Sequence, residues 1–157
     1  MVLSSIIGLN VKRCSHRKDS MIKIDQLVEN LRRDGLRVTN ARKQLLSALL
    51  DSKKAYTKDE ILNQLKSKGY DPITLYRNLN AFDKSGILLR LKDEDGKDRY
   101  LLNPERKHYH VILCKACKQV EPIQSCTIDT LEEFARSKGF KEVSHVLELH
   151  GLCEDCS

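Results

Sequence analysis

The chain has 157 residues, of which 40% are hydrophobic and 32% are charged. This balance is typical of a soluble globular protein with one ordinary domain or two small ones, and it argues against a disordered chain. No apolar run approaches the about 20 residues that a membrane-spanning helix needs. Near the start the basic residues follow the apolar stretch, the reverse of a signal peptide. We therefore expect a cytoplasmic protein, in which six cysteines favour metal binding over disulfides.

The net charge of +6 is unevenly distributed along the chain. Residues 1–92 contain 19 Lys/Arg and 9 Asp/Glu, a net charge of +10, whereas residues 93–157 contain 9 and 13, a net charge of −4. A basic half followed by an acidic half indicates that the first half alone meets a polyanion such as nucleic acid. From charge alone, the alternative is an ordinary solvated surface.

The periodicity of apolar residues predicts helices in the first half. A first helix runs from Ile24 towards Gly35, and a second runs from Asn40 to Leu50 with Asn40 as its N-cap. A third helix begins with a capping box formed by Thr57 and Glu60 and ends near Gly69.

A fourth helix follows Asp71-Pro72, and a hairpin follows the helix. The apolar runs 87–91 and 99–102 flank the acidic, glycine-containing segment 93–96, which predicts two strands joined by a turn. Short helices followed by a two-stranded wing indicate a winged-helix DNA-binding unit, whose recognition helix enters the major groove. The buried face of the fourth helix is predicted to contain Leu75, Leu79 and Phe82.

Several polar side chains of this unit are candidates for DNA contact. Tyr76 and Arg77 are predicted to reach bases or phosphates from the recognition helix. Arg37, Arg42 and Lys43 lie where backbone phosphates pass, so that affinity would fall steeply with salt. The alternative is a packed tyrosine and solvated arginines. The predicted DNA-contact set is Arg37, Arg42, Thr74, Tyr76, Arg77 and Asn78.

The second half contains two CxxC pairs, Cys114–Cys117 and Cys153–Cys156. A CxxC turn directs two thiolates at one point, and two such turns complete a closed, structural, tetrahedral zinc site, here one per subunit. The 35 residues between the pairs must form a small subdomain pinned by the metal, whose binding energy adds to its folding energy. The alternative is a redox CxxC, which requires a single pair near a βαβ unit.

Histidines lie close to the first cysteine pair. His108 and His110 are two residues apart on the predicted strand 109–113, so their imidazoles project from the same face. A second strand-like segment, 143–149, contains His145. Histidines with a carboxylate suit a divalent ion such as zinc or iron(II), and the alternative is ordinary surface histidines.

The motifs of both halves, in this order, resemble the ferric uptake regulator family over about residues 22–157. In the first half these motifs are Gly35-Leu-Arg-Val-Thr39 with Arg42, and Thr74-Leu-Tyr-Arg-Asn-Leu79. In the second half they are HxH at 108–110, CxxC at 114–117, His145, and LxLxGxCxxC at 147–156.

The resemblance implies an α+β fold, in which an N-terminal winged-helix DNA-binding domain precedes a small α/β dimerisation domain with the four-cysteine zinc site. The implied divisions are a flexible basic leader at 1–21, the winged-helix domain at 22–102, a hinge at 103–107, and the metal-binding dimerisation domain at 108–157.

The family has two further metal sites with counterparts to consider in this chain. At the site that joins the two domains, the family's ligand positions fall on Ala55 and on Leu101 or Leu102, whose side chains cannot ligate. At the site within the dimerisation domain, the positions give a complete set for a regulatory Fe2+ or Zn2+. That set is His108, His110, Asp129 and His145. A register shifted by one residue groups the first two histidines with Glu121 instead.

The resemblance implies a homodimeric, metal-responsive repressor of metal-uptake or oxidative-stress genes that binds inverted-repeat operators in double-stranded DNA. In the predicted mechanism the regulatory ion stiffens the hinge at Asn103-Pro104 and so sets the spacing of two winged helices. It implies no enzymatic activity and no membrane partner. Three alternatives are a zinc-stabilised DNA-binding protein without metal sensing, a CxxC thiol redox protein, and a zinc hydrolase. The hydrolase needs an open zinc position, which four cysteines do not leave.

Overall fold

The computed structural model describes residues 24–50, 52–106, 110–123 and 128–157. Four helices and a hairpin form the first domain, and a three-stranded sheet with one helix forms the second. None of the described helices is long and apolar enough to cross a membrane. In chain order the elements are α1 Ile24–Arg33, α2 Asn40–Leu49, α3 Lys58–Leu65, α4 Pro72–Lys84, β1 Leu88–Lys92, β2 Asp98–Leu102, β3 His110–Cys114, β4 Val120–Ile123, α5 Asp129–Ser137 and β5 Glu148–Gly151.

Side-chain caps determine where the helices of the first domain begin. The hydroxyl of Thr39 accepts a hydrogen bond from the Arg42 N–H at 3.3 Å, so Thr39 is the N-cap of α2. The prediction of Asn40 as this cap is wrong by one residue, because Asn40 already has helical geometry. The capping box of Thr57 and Glu60 at the start of α3 is confirmed, with both reciprocal hydrogen bonds present.

The core of the first domain joins all four helices to the hairpin. The predicted buried face of α4 is confirmed, since Leu75, Leu79 and Phe82 are at most 3% exposed. They pack with leucines of α1 and α2 and with residues of both hairpin strands. The wing is therefore attached to the helices by apolar burial, the main favourable term in folding.

A buried ion pair organises the turn of the wing. The Asp93 carboxylate accepts hydrogen bonds from the Lys97 N–H at 2.9 Å and from Arg99 Nε at 2.8 Å. Burial alone would raise the pKa of Asp93, but these bonds outweigh burial and hold it below the usual value. Arg99 also donates to the carbonyl oxygen of Ala55 at 3.1 Å, which ties the wing to the segment before α3.

The second domain is built on a sheet in the order β4-β3-β5. Strand β3 pairs antiparallel with β4 and parallel with β5, in a register that places Val111 opposite Glu148 and Cys114 opposite Gly151. The strand predicted over 143–149 is therefore mostly misplaced. Strand β5 begins at Glu148, which pairs with Val111 of β3. His145 precedes this strand.

The spacing of Ile128, Leu131 and Phe134 predicts a short helix, and α5 forms there, but it does not bury its apolar side chains within the chain. Leu131 is 64% exposed and Phe134 is 61% exposed. An amphipathic helix with a solvent-facing apolar stripe indicates a surface that another molecule covers.

The two domains contact each other through a second apolar cluster. Ala55, from the segment before α3, is fully buried against Leu101 of the wing and Val111 of β3. Backbone hydrogen bonds flank the cluster, from the Ala55 N–H to the Lys118 oxygen at 3.1 Å and from the Val120 N–H to the Lys53 oxygen at 2.8 Å. An isolated β-bridge between Lys54 and Gln119 thus connects the segment before α3 to the second domain.

The beginning of the linker between the domains is bonded to α1. Arg106 makes a two-pronged ion pair with Asp34, at 2.7 and 2.5 Å, and donates to the Asn30 carbonyl oxygen at 3.2 Å. The Asn30 side chain in turn donates to the carbonyl oxygen of Pro104 at 3.3 Å. The predicted hinge at Asn103-Pro104 is therefore attached to the first domain.

Substituting Ala55→Asp tests the contact between the domains. A carboxylate at this fully buried position leaves an unpaired charge in an apolar cluster, which costs several kcal/mol. We expect the Val120 amide to exchange with solvent much faster than in the wild type, as measured by hydrogen–deuterium exchange. The control is Lys54→Asp at the exposed neighbouring position. Equal protection of Val120 in both variants would contradict the packing described here.

Candidate functional site

The four cysteines of the two CxxC pairs converge on one point. Their sulfur atoms all lie within 4.8 Å of one another, and Cys117 Sγ is 3.7 Å from Cys153 Sγ. Zinc–sulfur bonds of about 2.3 Å in a tetrahedron place the sulfurs about 3.8 Å apart, so the spacing suits zinc. Among the described residues, this is the only group of three or more potential ligands gathered so closely.

The backbone around the cluster stabilises thiolate. The Cys153 N–H donates to Cys114 Sγ at 3.4 Å, and this bond, with further backbone donors from Cys117 and Ala116, lowers the pKa of Cys114 to about 6. Hydrogen bonding with Cys153 and Cys117 raises the pKa of Cys156 to about 12, and burial and the nearby Cys114 raise it to a smaller degree. Four thiolates at this spacing therefore need a cation, which zinc supplies when bound.

The structure also brings His110 and His145 together. Their Nε2 atoms are 3.0 Å apart, although one histidine begins β3 and the other lies in the segment before β5. His110 is 3% exposed, so its imidazole is enclosed by protein. Two imidazole nitrogens bound to one tetrahedral zinc are about 3.3 Å apart, and a small outward movement would accommodate an ion between them.

A carboxylate of α5 fixes the orientation of His145. Glu132 Oε1 lies 2.6 Å from His145 Nδ1, and its Oε2 accepts from Arg136 at 2.7 Å. The hydrogen bond with His145 lowers the pKa of Glu132, so the glutamate is ionised and accepts from an Nδ1–H. The other ring nitrogen of His145, Nε2, faces His110. This carboxylate–histidine pairing is typical of metal ligands.

The predicted regulatory set is only partly described. His108 lies outside the described residues. Asp129 is exposed on the first turn of α5, one turn before Glu132, and Glu121 of the alternative set is exposed on β4. Glu132, which contacts His145, was not among the ligands predicted from the sequence. The apolar spacing of 128–135 predicts a short helix with Asp129 and Glu132 on its polar sides, but helical spacing alone does not show that Glu132 contacts His145.

The predicted DNA-contact residues surround the exposed face of α4. Tyr76 is 63% exposed although it lies in the middle of a packed helix, and Arg77 is also exposed. Thr74 is half-buried. Asp71 is the N-cap of α4, and its carboxylate accepts from the N–H groups of Ile73 at 2.9 Å and Thr74 at 3.0 Å. The start of the predicted recognition helix is therefore fixed by its own cap.

The remaining members of the predicted set are connected to one another. Arg37 is exposed, whereas Arg42 is half-buried and donates to the Arg37 carbonyl oxygen at 2.6 Å. Arg42 Nε also donates to Asn78 Oδ1 at 3.1 Å, and Asn78 is 7% exposed. Asn78 thus faces the protein interior.

Comparison with known sequences decides the family. Residues 33–150 match the sequence model of the Ferric uptake regulator family. The chain belongs to the ferric uptake regulator family. The predicted fold class is thereby confirmed, with a winged-helix domain followed by an α/β domain that contains the four-cysteine site of this family member.

Individual relatives agree in sequence and in fold. A peroxide operon regulator from Bacillus subtilis strain 168 is 31% identical over 138 residues, which are 86% of this chain and 94% of the relative. The crystal structure of the Vibrio cholerae ferric uptake regulator, at 29% identity, has a TM-score of 0.61 and covers 80% of this chain and 98% of that chain. The regulator from Francisella tularensis, solved with iron, gives 29% identity and a TM-score of 0.62, covering 78% of this chain and 95% of that chain.

The two positions that the resemblance assigns to the interdomain metal site, Ala55 and Leu101, lie in the apolar contact between the domains. Ala55 is fully buried and Leu101 is 6% exposed within the same cluster. Neither side chain offers a ligand atom, and the backbone of Ala55 is hydrogen-bonded to Lys118. Contact between the two domains of the chain therefore occupies the place where the family resemblance implies an ion.

Substituting Cys156→Ser tests the zinc site. Loss of one thiolate should let a chelator remove zinc, and the strand β5 should then lose its protection, because zinc binding contributes folding energy. Elemental analysis should find about one chelator-resistant zinc per wild-type chain and far less in the variant. The matched control is Asp155→Ser, an exposed neighbour outside the cluster. Zinc retained equally by both variants would show that Cys156 is not a ligand.

Proposed function

We propose that the chain is a metal-responsive, sequence-specific transcriptional repressor that binds inverted-repeat operators in double-stranded DNA as a homodimer. The observation that carries the metal response is the 3.0 Å separation of His110 Nε2 and His145 Nε2. This separation fits an N–H···N hydrogen bond, and a divalent ion bound by both nitrogens would replace the shared proton. The two imidazoles form a site whose occupancy changes the relative position of β3 and α5.

DNA binding is supported by the first domain. Its net positive charge matches a polyanionic partner, and Tyr76 and Arg77 project from a helix that is capped and packed on its other face. An arginine in this position suits guanine or phosphate, and an aromatic ring suits the thymine methyl group. The contacts proposed for Arg37, Arg42, Thr74, Tyr76 and Arg77 follow from this placement.

Two metal sites with different roles are proposed. Zinc in the four-cysteine site maintains the fold of the second domain, with one ion per subunit. A second divalent ion, Fe2+ or Zn2+, binds His110 and His145, together with His108 and the carboxylate of Asp129. Glu132 orients His145 through the contact with its Nδ1. Histidine with carboxylate is the donor set that both ions accept.

The biological assignment follows that of the relatives. The similar Bacillus subtilis protein is a peroxide operon regulator, and the similar Vibrio cholerae protein is a ferric uptake regulator. We assign this chain to the control of metal-uptake or oxidative-stress genes in the cytoplasm, without an enzymatic role. The proposed divisions are a leader at 1–21, the DNA-binding domain at 22–102, a hinge at 103–107 and the dimerisation domain at 108–157.

The dimer is supported by exposed apolar side chains in the second domain. Seven of the nine large hydrophobic residues that are exposed among the described ones lie between 110 and 157. A soluble protein rarely exposes so many in one small domain unless a partner covers them, and a second copy explains the two-fold symmetry of an inverted-repeat operator. These residues are Ile112, Leu131, Phe134, Phe140, Val146, Leu149 and Leu152.

Substituting His110→Ala tests the metal response. An effector typically changes affinity about 5- to 150-fold, and we expect this change to disappear because the ion loses a ligand. The measurement is fluorescence anisotropy with a duplex selected from a randomised pool by the wild-type protein, titrated with Zn2+ or Fe2+ after the structural zinc is in place.

Two further variants complete this experiment. His145→Ala should behave like His110→Ala, whereas His150→Ala, an exposed histidine on β5, should respond like the wild type. Elemental analysis should find about two metal ions per wild-type chain and about one after mild chelation. If DNA binding by His110→Ala still follows the metal titration, the site assignment is incorrect.

The contact between the domains supports a second candidate function, a zinc-stabilised DNA-binding protein that senses no metal. Ala55 and Leu101 join the domains without an ion, so that the DNA-binding unit is held in place permanently. The same titration separates the two functions. A non-sensing protein binds the selected duplex with one affinity across all concentrations of the second ion.

Substituting Phe134→Asp tests the dimer. A charge in the middle of the exposed apolar stripe should separate the subunits, because its burial at an interface would leave it unpaired. Light scattering after size exclusion should report a monomer, and affinity for a two-half-site duplex should fall at least tenfold. The control is Thr130→Asp on an exposed position of the same helix. A dimeric Phe134→Asp protein would place the interface elsewhere.

A further inference from the structure

A chain of hydrogen bonds runs from the core to Arg42 through the predicted recognition helix. Asn78 Nδ2 donates to Tyr70 Oη at 2.8 Å, and Asn78 Oδ1 accepts from Arg42 Nε at 3.1 Å. Asn78 is 7% exposed and Tyr70 is 8% exposed, so this bond between them lies inside the domain. Burying a side-chain amide is costly unless it is hydrogen-bonded, and here both ends of the amide are.

This arrangement argues against base reading by Asn78. An asparagine that recognises adenine must offer its oxygen and its nitrogen to the base edge together. In Asn78 the oxygen is used by Arg42 and the nitrogen by Tyr70, and little of the side chain is accessible. Tyr76 and Arg77, the two preceding residues, are exposed instead.

The same arrangement restrains Arg42. Its Nε is held by Asn78 and its Nη1 by the carbonyl oxygen of Arg37, which leaves three of the five guanidinium hydrogens for another partner. A free arginine loses rotamer entropy when it binds, and an arginine already held in place loses less. Arg42 lies on the third residue of α2, where a cation is electrostatically unfavourable for the helix itself, so its placement is better explained by an anionic partner.

We propose that Asn78 is a positioning residue that holds the Arg42 guanidinium ready for a DNA phosphate, with Tyr70 as its anchor in the core. The proposal rests on the proposed DNA-binding function and assigns different roles in it to the two faces of α4. One face of α4 meets DNA through Tyr76 and Arg77, and its buried face controls a phosphate contact made by α2.

A double-mutant cycle between Asn78 and Arg42 tests the proposal. The experiment compares four proteins, each loaded with zinc and the second ion: the wild type, Asn78→Leu, Arg42→Ala and the combined variant. The measurement is binding to a duplex that the wild-type protein selected. We expect Arg42→Ala to weaken binding about tenfold and Asn78→Leu somewhat less. In the Arg42→Ala background, Asn78→Leu should have no further effect.

The salt dependence provides a readout that fold stability alone does not change. Each phosphate contact contributes about 0.9 to the slope of log affinity against log salt concentration. Each of the single variants, Arg42→Ala and Asn78→Leu, should reduce this slope by a similar amount per subunit. The combined variant should reduce the slope by no more than Arg42→Ala does. As a matched control, Asn80→Leu on the same helix should have the same effect with and without Arg42.

Tyr70→Phe extends the cycle with a variant that removes one hydroxyl from the core and leaves Asn78 in place. It should weaken binding less than Asn78→Leu, again only when Arg42 is present. If Asn78→Leu does not fold, the cycle between Tyr70→Phe and Arg42→Ala decides the question. Thermal unfolding of each variant identifies losses that come from instability.

The outcomes separate this proposal from the function on which it rests. The positioning role would be overturned if Asn78→Leu lost the same DNA affinity with and without Arg42. It would also be overturned if Asn78→Leu left both the affinity and the salt slope unchanged. Neither outcome would contradict the DNA-binding function. If the wild-type protein selects no duplex from the pool in any metal state, the proposed function fails and the positioning role fails with it.

Discussion

The second domain depends on the meeting of four thiol groups from two distant segments. No residue between 128 and 157 is buried, so the last thirty residues have no core of their own. They are held by the parallel pairing of β5 with β3 and by the sulfur cluster at the end of that pair, where Cys114 lies opposite Gly151. Zinc contributes roughly 10–16 kcal/mol to the folding of small peptides, which is ample for such a segment.

The histidine pair depends on the same arrangement. His110 is at one end of β3 and Cys114 is at the other, so the sulfur cluster fixes the strand that presents the histidine. His145 reaches it from the segment that leads into β5, and Glu132 reaches His145 from α5. The sulfur cluster and the histidine pair therefore share one short strand, so the position of the second depends on the order of the first.

Much of this arrangement could be predicted from the sequence because its signals are local. The capping box at Thr57 and the two CxxC pairs each act within a few residues. The bounds of β5 and the role of Glu132 could not be predicted, because they depend on which strand β5 pairs with and on how α5 lies against His145. The burial of Asn78 was also missed, since its partner Tyr70 lies before the helix and helical periodicity does not include it.

The continuous contact around Ala55 has a mechanical consequence. The wing and the second domain are each hydrogen-bonded to the segment 53–56 and pack together through apolar side chains, and the start of the linker is bonded to α1. In a symmetric pair of subunits, a small rotation of one second domain relative to the other then moves the attached first domains, and with them the two copies of α4. Each subunit acts as a lever, and the distance from the subunit interface to Tyr76 multiplies the rotation into a displacement along the DNA axis.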